Sequence, residues 1–320
     1  MRAVVALGGN ALARRGEPAD PGAQRANLRR AAAAVAELAR EHELVLTHGN
    51  GPQIGLLALQ AESCPEVPRP TLDVLGAESE GLIGYLIDLE LSAALPGREV
   101  AALLTQVEVD PADPAFAHPS KPIGPSYAEE RARALAAERG WSLVRDGAGF
   151  RRAIASPEPL RIRELHAIRL LVEAGVVVVC AGGGGIPVAL TPDGGLRGVE
   201  AVIDKDLASA LLASELGAQA LLLLTDVPAV FEDWPEPRQR PLRCVTPAEL
   251  RRLRFEPGSM APKVEAACRF VEAGGAFAAI GALEDAARLL TGDAGTRVAS
   301  KLAAGRALAT APATIPSRRR

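Results

Sequence analysis

Lysine is scarce in this chain. Of the 36 basic positions among 320 residues, lysine fills only 121, 205, 263 and 301, and arginine fills the rest. Arginine is a planar fork suited to bidentate recognition, whereas lysine is a compact point charge that can sit against a single oxygen atom. Codon bias accounts for the scarcity but not for the positions. Lys121 stands in "KPIG", Lys205 lies between Asp204 and Asp206 in "GVEAVIDKDLAS", and Lys263 lies in "APKVEAA". Only Lys301 lies outside any such segment.

Three glycine-rich turns accompany the lysines. "ALGGNA" supplies Gly8, Gly9 and Asn10, "THGNGPQIG" supplies Gly49, Asn50 and Gly51, and "CAGGGGIP" supplies Gly183 and Gly184. Glycine lets backbone approach a ligand closely and aim its N–H groups at an anion. No turn has the spacing of a Walker A loop or of a dinucleotide fingerprint. A single turn would be weak evidence; three turns, with Asn10 and Asn50 as neutral donors, point to an anion site. His48, beside the second turn, is read as a ligand contact or, more often for such a histidine, as one satisfied by backbone, and is not assigned catalysis. Phosphoryl transfer needs two oxygens held in line and positive charge around the moving group, which lysines and magnesium can supply.

These residues need elements to position them. Short apolar runs at 3–7, 44–47, 100–107, 176–180, 220–225 and 276–280 alternate with helical patterns, as a parallel sheet covered on both faces requires. Between the first two, Leu28, Ala31, Ala32, Val35, Leu38 and Ala39 recur at helical spacing, with Arg40 and His42 expected at the helix end. Each glycine turn follows an apolar run, so all three are expected at the carboxyl edge of the sheet, where open α/β sheets bind ligands. Five prolines between 108 and 126 interrupt this rhythm. Residues 108 to about 158 are therefore read as an excursion, with "WSLVRD" and "RRAIAS" as short strands.

Composition excludes several classes. A net charge of −3 and a pI near 5.9 give no global reason to bind nucleic acid or an anionic membrane. Cys64, Cys180, Cys244 and Cys268 form neither a metal pattern nor a disulfide framework, so a reducing cytoplasm is expected. The N-terminus reads as a strand rather than a signal peptide, and 207–224 as a helix and a strand rather than a membrane span.

Read together, "VVALGGNAL", "THGNGPQIG", "TQVEVDPADPAF", "KPIGPSY", "GGGGIPV", "GVEAVIDKDLAS", "LLLLTDVPAVF" and "PGSMAPKVEAACRFVE" resemble the carbamate kinases of the amino acid kinase family. The resemblance runs in order from residue 3 to about 298. It implies an α/β fold: an open αβα sandwich around a mainly parallel sheet, with a small protruding subdomain. It also implies a homodimer and reversible phosphoryl transfer between ATP and carbamate with Mg2+. Residues 1–215, including the subdomain at about 108–158, would bind carbamate or carbamoyl phosphate. Residues 216–320 would bind the nucleotide, with a tail from about 299.

Carried over motif by motif, Lys121, Lys205, Asp206 and Lys263 form the implied catalytic set: Lys205 stabilises charge, Asp206 organises the lysines, and Lys121 descends from the subdomain. Gly8, Gly9, Asn10, Gly49, Asn50, Gly51, Gly183 and Gly184 would hold the phosphoryl or carbamate group. Thr225, Asp226, Val227, Ser259, Met260 and Lys263 would border the nucleotide. No side chain is expected to ligate the metal, which the nucleotide phosphates would hold. Many amino acid kinases carry a lysine at a position where this chain, like the carbamate kinases it resembles, lacks one and has Ala6, and Lys121 is the expected substitute. The chain departs from the family pattern at Pro228, Phe231, Glu256 and Pro257, all near the implied nucleotide pocket. A kinase of another small acid, or a silent metabolite-binding regulator, are the alternatives; the regulator would favour loss of the four catalytic positions, and all four are present.

Overall fold

The computed structural model describes residues 1–9, 21–64, 66–234, 238–255 and 260–300. The chain begins with β1 (Arg2–Leu7), α1 (Pro21–Ala39), β2 (Glu43–His48), α2 (Gly51–Glu62), α3 (Leu72–Ala94) and β3 (Val100–Ala102). An excursion follows, comprising β4 (Gln106–Glu108), β5 (Lys121–Tyr127), α4 (Glu129–Arg139), β6 (Ser142–Asp146), β7 (Gly149–Ile154) and β8 (Arg161–Ile162). It then returns through α5 (Leu165–Glu173), β9 (Val177–Val179), β10 (Ile186–Leu190), β11 (Leu196–Gly198), α6 (Lys205–Glu215) and β12 (Ala220–Thr225). The last elements are β13 (Phe231–Glu232), β14 (Arg240–Pro241), β15 (Cys244–Val245), α7 (Pro247–Leu250), α8 (Met260–Glu272), β16 (Phe277–Ala282), α9 (Ala286–Thr291) and β17 (Thr296–Val298).

The main sheet has the order β15-β17-β16-β12-β1-β2-β9-β3. Every neighbouring pair is parallel except β16 with β17. Alternate residues of β1 show why apolar runs form it: Val4 and Ala6 enter a core shared with α6 and α8, while Ala3, Val5 and Leu7 enter one shared with α1 and α3. Both faces are thus covered, and a strand buried on both faces has no place for polar alternation. Burying each such Val or Leu contributes roughly 1.5–3 kcal/mol. The doubly covered parallel sheet expected from the pattern, and the αβα sandwich implied by the resemblance, are what folds. No helix among the described residues is long and apolar enough to cross a membrane.

Two boundaries differ from the sequence reading. The run at 100–107 is split between β3 in the main sheet and β4 in a second sheet ordered β11-β10-β4-β8. At the break the Thr105 N–H donates to the Glu80 side chain at 3.2 Å, so the ladder cannot continue there. Helix α1 stops at Ala39, and the N–H groups of Glu41 and His42 both return to the Leu38 carbonyl. Arg40 and His42 therefore lie in the closing turn, beyond the helix.

The proline-rich excursion holds a three-stranded antiparallel sheet ordered β5-β7-β6, with α4 packed on β6 and β7. "WSLVRD" and "RRAIAS" supply β6 and most of β7, as expected. Pro122 and Pro125 are tolerated in β5 because it is an edge strand. This subdomain rests on α2 through a glycine pair. A Cβ on Gly55 would lie 2.0 Å from the Gly124 Cα, and Gly124 itself has φ +71°. Gly55→Ala should therefore lift β5 from its seat. The expected loss is about 1–3 kcal/mol of stability, read by chemical denaturation, with a larger proportional loss of any activity that depends on Lys121.

Candidate active site

Strands β1, β2 and β9 are parallel and adjacent, so the turns that follow them emerge side by side at one sheet edge. Gly8 closes against β12, where a Cβ would lie 2.7 Å from the Leu224 carbonyl oxygen. Gly49 approaches the Gly9 backbone and the Lys205 side chain, and Gly51 opens α2. The third turn is the tightest. Gly183, Gly184 and Gly185 have φ of +67°, +96° and +87°, and a Cβ on Gly183 or Gly184 would strike the Asn50 side chain or the Ile203 carbonyl oxygen. Only glycine satisfies both the dihedral angles and the clearance.

The cations converge from three elements. Lys205 is the first residue of α6, and Asp204 caps that helix by accepting from the Asp206 and Leu207 N–H groups at 2.9 and 3.2 Å. Asp206 takes one ammonium on each oxygen: Lys205 Nζ on Oδ1 at 2.6 Å and Lys263 Nζ on Oδ2 at 3.0 Å. Lys263 comes from the first turn of α8. Lys121, at the start of β5, pairs with Asp204 across the gap between subdomain and sheet. The buried hydroxyls of Thr47 and Ser209 meet at 2.7 Å, and Ser209 donates to the Lys205 carbonyl.

The electrostatics of this group are uneven. Burial alone would raise Asp206, but Lys205 and Lys263 overcome it and hold the carboxyl well below the usual range. Lys263 is also opposed by burial, yet Asp206 lifts it above its ordinary value. For Lys205 burial wins and the ammonium is lowered, with Asp206 compensating only partly and Lys263 adding repulsion. Lys205 also sits at the positive end of α6, where a cation is disfavoured. It is an under-compensated buried charge, and an incoming anion is what would compensate it. Among the described residues no group of three or more His, Cys, Asp or Glu is arranged to hold a metal ion.

The remaining expected positions fall into place unevenly. Thr225 ends β12, and Asp226 and Val227 follow it. The charge of Asp226 reaches Lys263, and Met260 opens the helix that carries Lys263. Asn10, Ser259, Glu256, Pro257 and Lys301 lie outside the described residues. His48 is buried and pushed down to about 4 by desolvation. Its Nδ1 meets the Gly49 carbonyl at 3.2 Å, while its Nε2 has no partner among the described residues. Backbone thus satisfies only one of its two nitrogens.

Three contributors escaped the sequence reading. Asp204 was legible only as a helix-start charge, although an aspartate directly before a helix is a capping signal. Ser79 accepts from Asn50 Nδ2 at 2.8 Å, and Glu80 accepts from the Gly182 N–H at 2.7 Å. Both interrupt the buried stripe of α3 formed by Leu72, Leu75, Ile83 and Ile87. Such a polar break in an apolar helix face was their one available signal.

Two outcomes follow from these groups. Asp206→Ala leaves two buried ammonium ions without their carboxylate, and breaking such pairs costs about 3–5 kcal/mol. Chemical denaturation should show a loss of that order, partly recovered when Lys263→Met is added. The second concerns pH. Burial pushes Glu80 up to about 8 from its ordinary 4.5, so between those values the folded protein keeps a proton that the unfolded chain has released, and rising pH favours unfolding. His48 acts oppositely: between about 4 and 6.5 the unfolded chain holds the extra proton, so stability grows with pH. Above pH 6.5 only the Glu80 effect of the two remains. Melting temperature should fall for the unaltered protein between pH 6.5 and 8, and fall less for Glu80→Gln.

Comparison with known proteins agrees with this geometry. The amino acid kinase family model matches residues 1–281. The carbamate kinase of Haemophilus influenzae is 50% identical over 302 residues, covering 94% of this chain and 97% of that protein. The carbamate kinase of Pyrococcus furiosus is 46% identical over 310 residues, covering 93% and 98%. Among solved structures, the carbamate kinase from Giardia lamblia bound to AMP-PNP superimposes with a TM-score of 0.84 at 38% identity, covering 93% of this chain and 98% of that one. Glycine turns at one sheet edge, converging lysines and these matches lead to one conclusion: the chain belongs to the amino acid kinase family.

Proposed function

We propose that this protein is a carbamate kinase, transferring a phosphoryl group reversibly between ATP and carbamate and working chiefly to make ATP from carbamoyl phosphate. The observation that carries the reading is the Asp206 carboxylate holding Lys205 and Lys263 together beneath three glycine turns. The names of the relatives support the substrate pair. In this reading residues 1–215 take carbamate or carbamoyl phosphate, with the subdomain above them, and residues 216–320 take the nucleotide.

The chemistry asks little of the protein beyond alignment and charge. Backbone at Gly8, Gly9, Gly49, Gly51, Gly183 and Gly184, with Asn10 and Asn50, holds the acid and the phosphoryl group. Carbamate oxygen and the terminal oxygen of ADP face each other across phosphorus. Lys205, under-compensated at rest, gains its counter-charge as negative charge spreads over the transferring oxygens. Lys263 serves the nucleotide side, bordered by Thr225, Asp226, Val227, Ser259 and Met260. Lys121 leaves Asp204 to cover the substrate from above. Asp206 is engaged on both oxygens by ammonium ions, a poor setting for a dication. Mg2+ would therefore be held by the nucleotide phosphates rather than by these side chains, and would supply positive charge there.

Assembly and location belong to the same proposal. Leu82, Tyr85 and Leu89 on α3 are exposed, and neighbouring β3 is the last strand of the main sheet. An apolar helix stripe beside an open sheet edge favours a homodimer. The four cysteines are unpaired, which favours a cytoplasmic setting.

ATP formation from ADP, Mg2+ and fresh carbamoyl phosphate tests the reading, with acetyl phosphate as comparison donor. Lys205→Ala should retain its fold and lose at least about 10²-fold in turnover. A folded protein that binds nucleotide but makes no ATP from carbamoyl phosphate would point to another acid. Absent nucleotide binding would point to a silent regulator.

A further inference from the structure

Glu80 belongs neither to the lysine cluster nor to the glycine turns, yet it is only 3% exposed and reaches the third turn. One of its oxygens accepts from the Gly182 N–H at 2.7 Å and the other from the Thr105 N–H at 3.2 Å. The fit around Gly182 is close. A Cβ there would lie 2.3 Å from the His48 ring and 2.9 Å from the Glu80 Cγ. One position earlier on the same helix, Ser79 holds Asn50, whose side chain lies against Gly183. Two consecutive residues of α3 thus anchor the second and third turns from beneath.

The amides of the third turn are committed inward with one exception. Ala181 donates to Thr105 Oγ1 at 3.0 Å and Gly182 to Glu80. Gly184 donates to the Ala181 carbonyl at 3.1 Å and Gly185 to the Gly182 carbonyl at 3.0 Å. Among the described residues the Gly183 N–H alone in this turn has no hydrogen bond within the protein. A buried backbone N–H is rarely left without a partner, and Gly183 is buried. An amide whose neighbours are all committed inward is a donor reserved for something that arrives.

We propose that Glu80 is a positioning residue that, through the Gly182 peptide, orients the Gly183 N–H as the donor this turn offers to the anionic phosphoryl or carbamate oxygen. The assignment rests on the functional reading above, and deepens it by selecting one amide and naming what holds it. Glu80 acts without touching substrate. The other titratable groups that bear on it are Glu164, Cys180 and neutral His48; no cation is among them. A proton on Glu80 therefore suits an anion nearby, and its loss places a negative charge against the Gly182 N–H, one residue before the donor amide.

Steady-state kinetics on the full-length protein, Glu80→Ala and Glu80→Gln, across pH 6.5 to 9, test this. Glu80→Ala should raise KM for carbamoyl phosphate about tenfold or more, as small misplacements of positioned groups do, with KM for ADP changed less than about twofold. Glu80→Gln, which keeps an acceptor for the Gly182 N–H, should recover most of that loss. In the unaltered enzyme KM for carbamoyl phosphate should climb as pH passes about 8, and Glu80→Gln should lack the climb. Equal shifts in both KM values that track a lowered melting temperature would overturn the assignment in favour of a purely structural role, as would unaltered KM values in Glu80→Ala. If Glu80→Ala does not fold, the pH profile of Glu80→Gln decides: a retained climb overturns the proposal. Calorimetric titration with inorganic phosphate needs no turnover. Weaker phosphate binding in Glu80→Ala alone would sustain the Glu80 assignment even where a protein inert toward carbamoyl phosphate sank the functional reading.

Discussion

Two buried ammonium ions share one carboxylate, and much of the site depends on that fact. Lys205 and Lys263 come from the first turns of α6 and α8, and burial disfavours the charge on each. Brought together without Asp206 they would repel each other in a medium that screens poorly. With Asp206 between them they remain charged and close, and the two helix starts are joined at the carboxyl edge of the sheet. The compensation is incomplete at Lys205. An arriving anion would compensate that deficit without reorganisation of the cluster.

The third cation obeys a different constraint. Lys121 is carried on a subdomain whose contact with the sandwich runs through the Gly55 and Gly124 backbones. Its partner in the structure is Asp204, which at the same time caps α6. Asp204 therefore serves the site twice: it ends the helix that begins with Lys205, and it gives Lys121 a place to rest. Aspartates before and after Lys205 divide the labour, Asp204 holding Lys121 and Asp206 holding Lys205 and Lys263.

Helix α3 ties these parts to the rest of the molecule. Its buried face packs Leu75, Ile83 and Ile87 into the sandwich while Ser79 and Glu80 grip the turns. Its outer face carries Leu82, Tyr85 and Leu89. One helix thus has a face toward the glycine turns and an exposed face beside β3, the last strand of the main sheet. Displacing it would move both.

Much of this was legible in the sequence. Near-continuous apolar runs announced a doubly covered parallel sheet, because such strands have no solvent face to encode. At Gly8, Gly183 and Gly184 the glycines announced close backbone approach, because a Cβ there would collide, whereas at Gly9 and Gly51 it would meet nothing within 4 Å. The scarcity of lysine made three positions conspicuous, and the motifs around them carried the family resemblance. What the linear chain could not express were pairings between residues far apart. Lys121 meets Asp204 across 83 positions and Glu80 meets Gly182 across 102. The break at Thr105 likewise depends on a side chain from α3. Local pattern determines which elements form and which residue types stand ready at their ends. Which amide is held, which cation is left short of compensation and which carboxyl keeps its proton are decided only by tertiary packing, since burial and Coulomb interaction depend on distance in space.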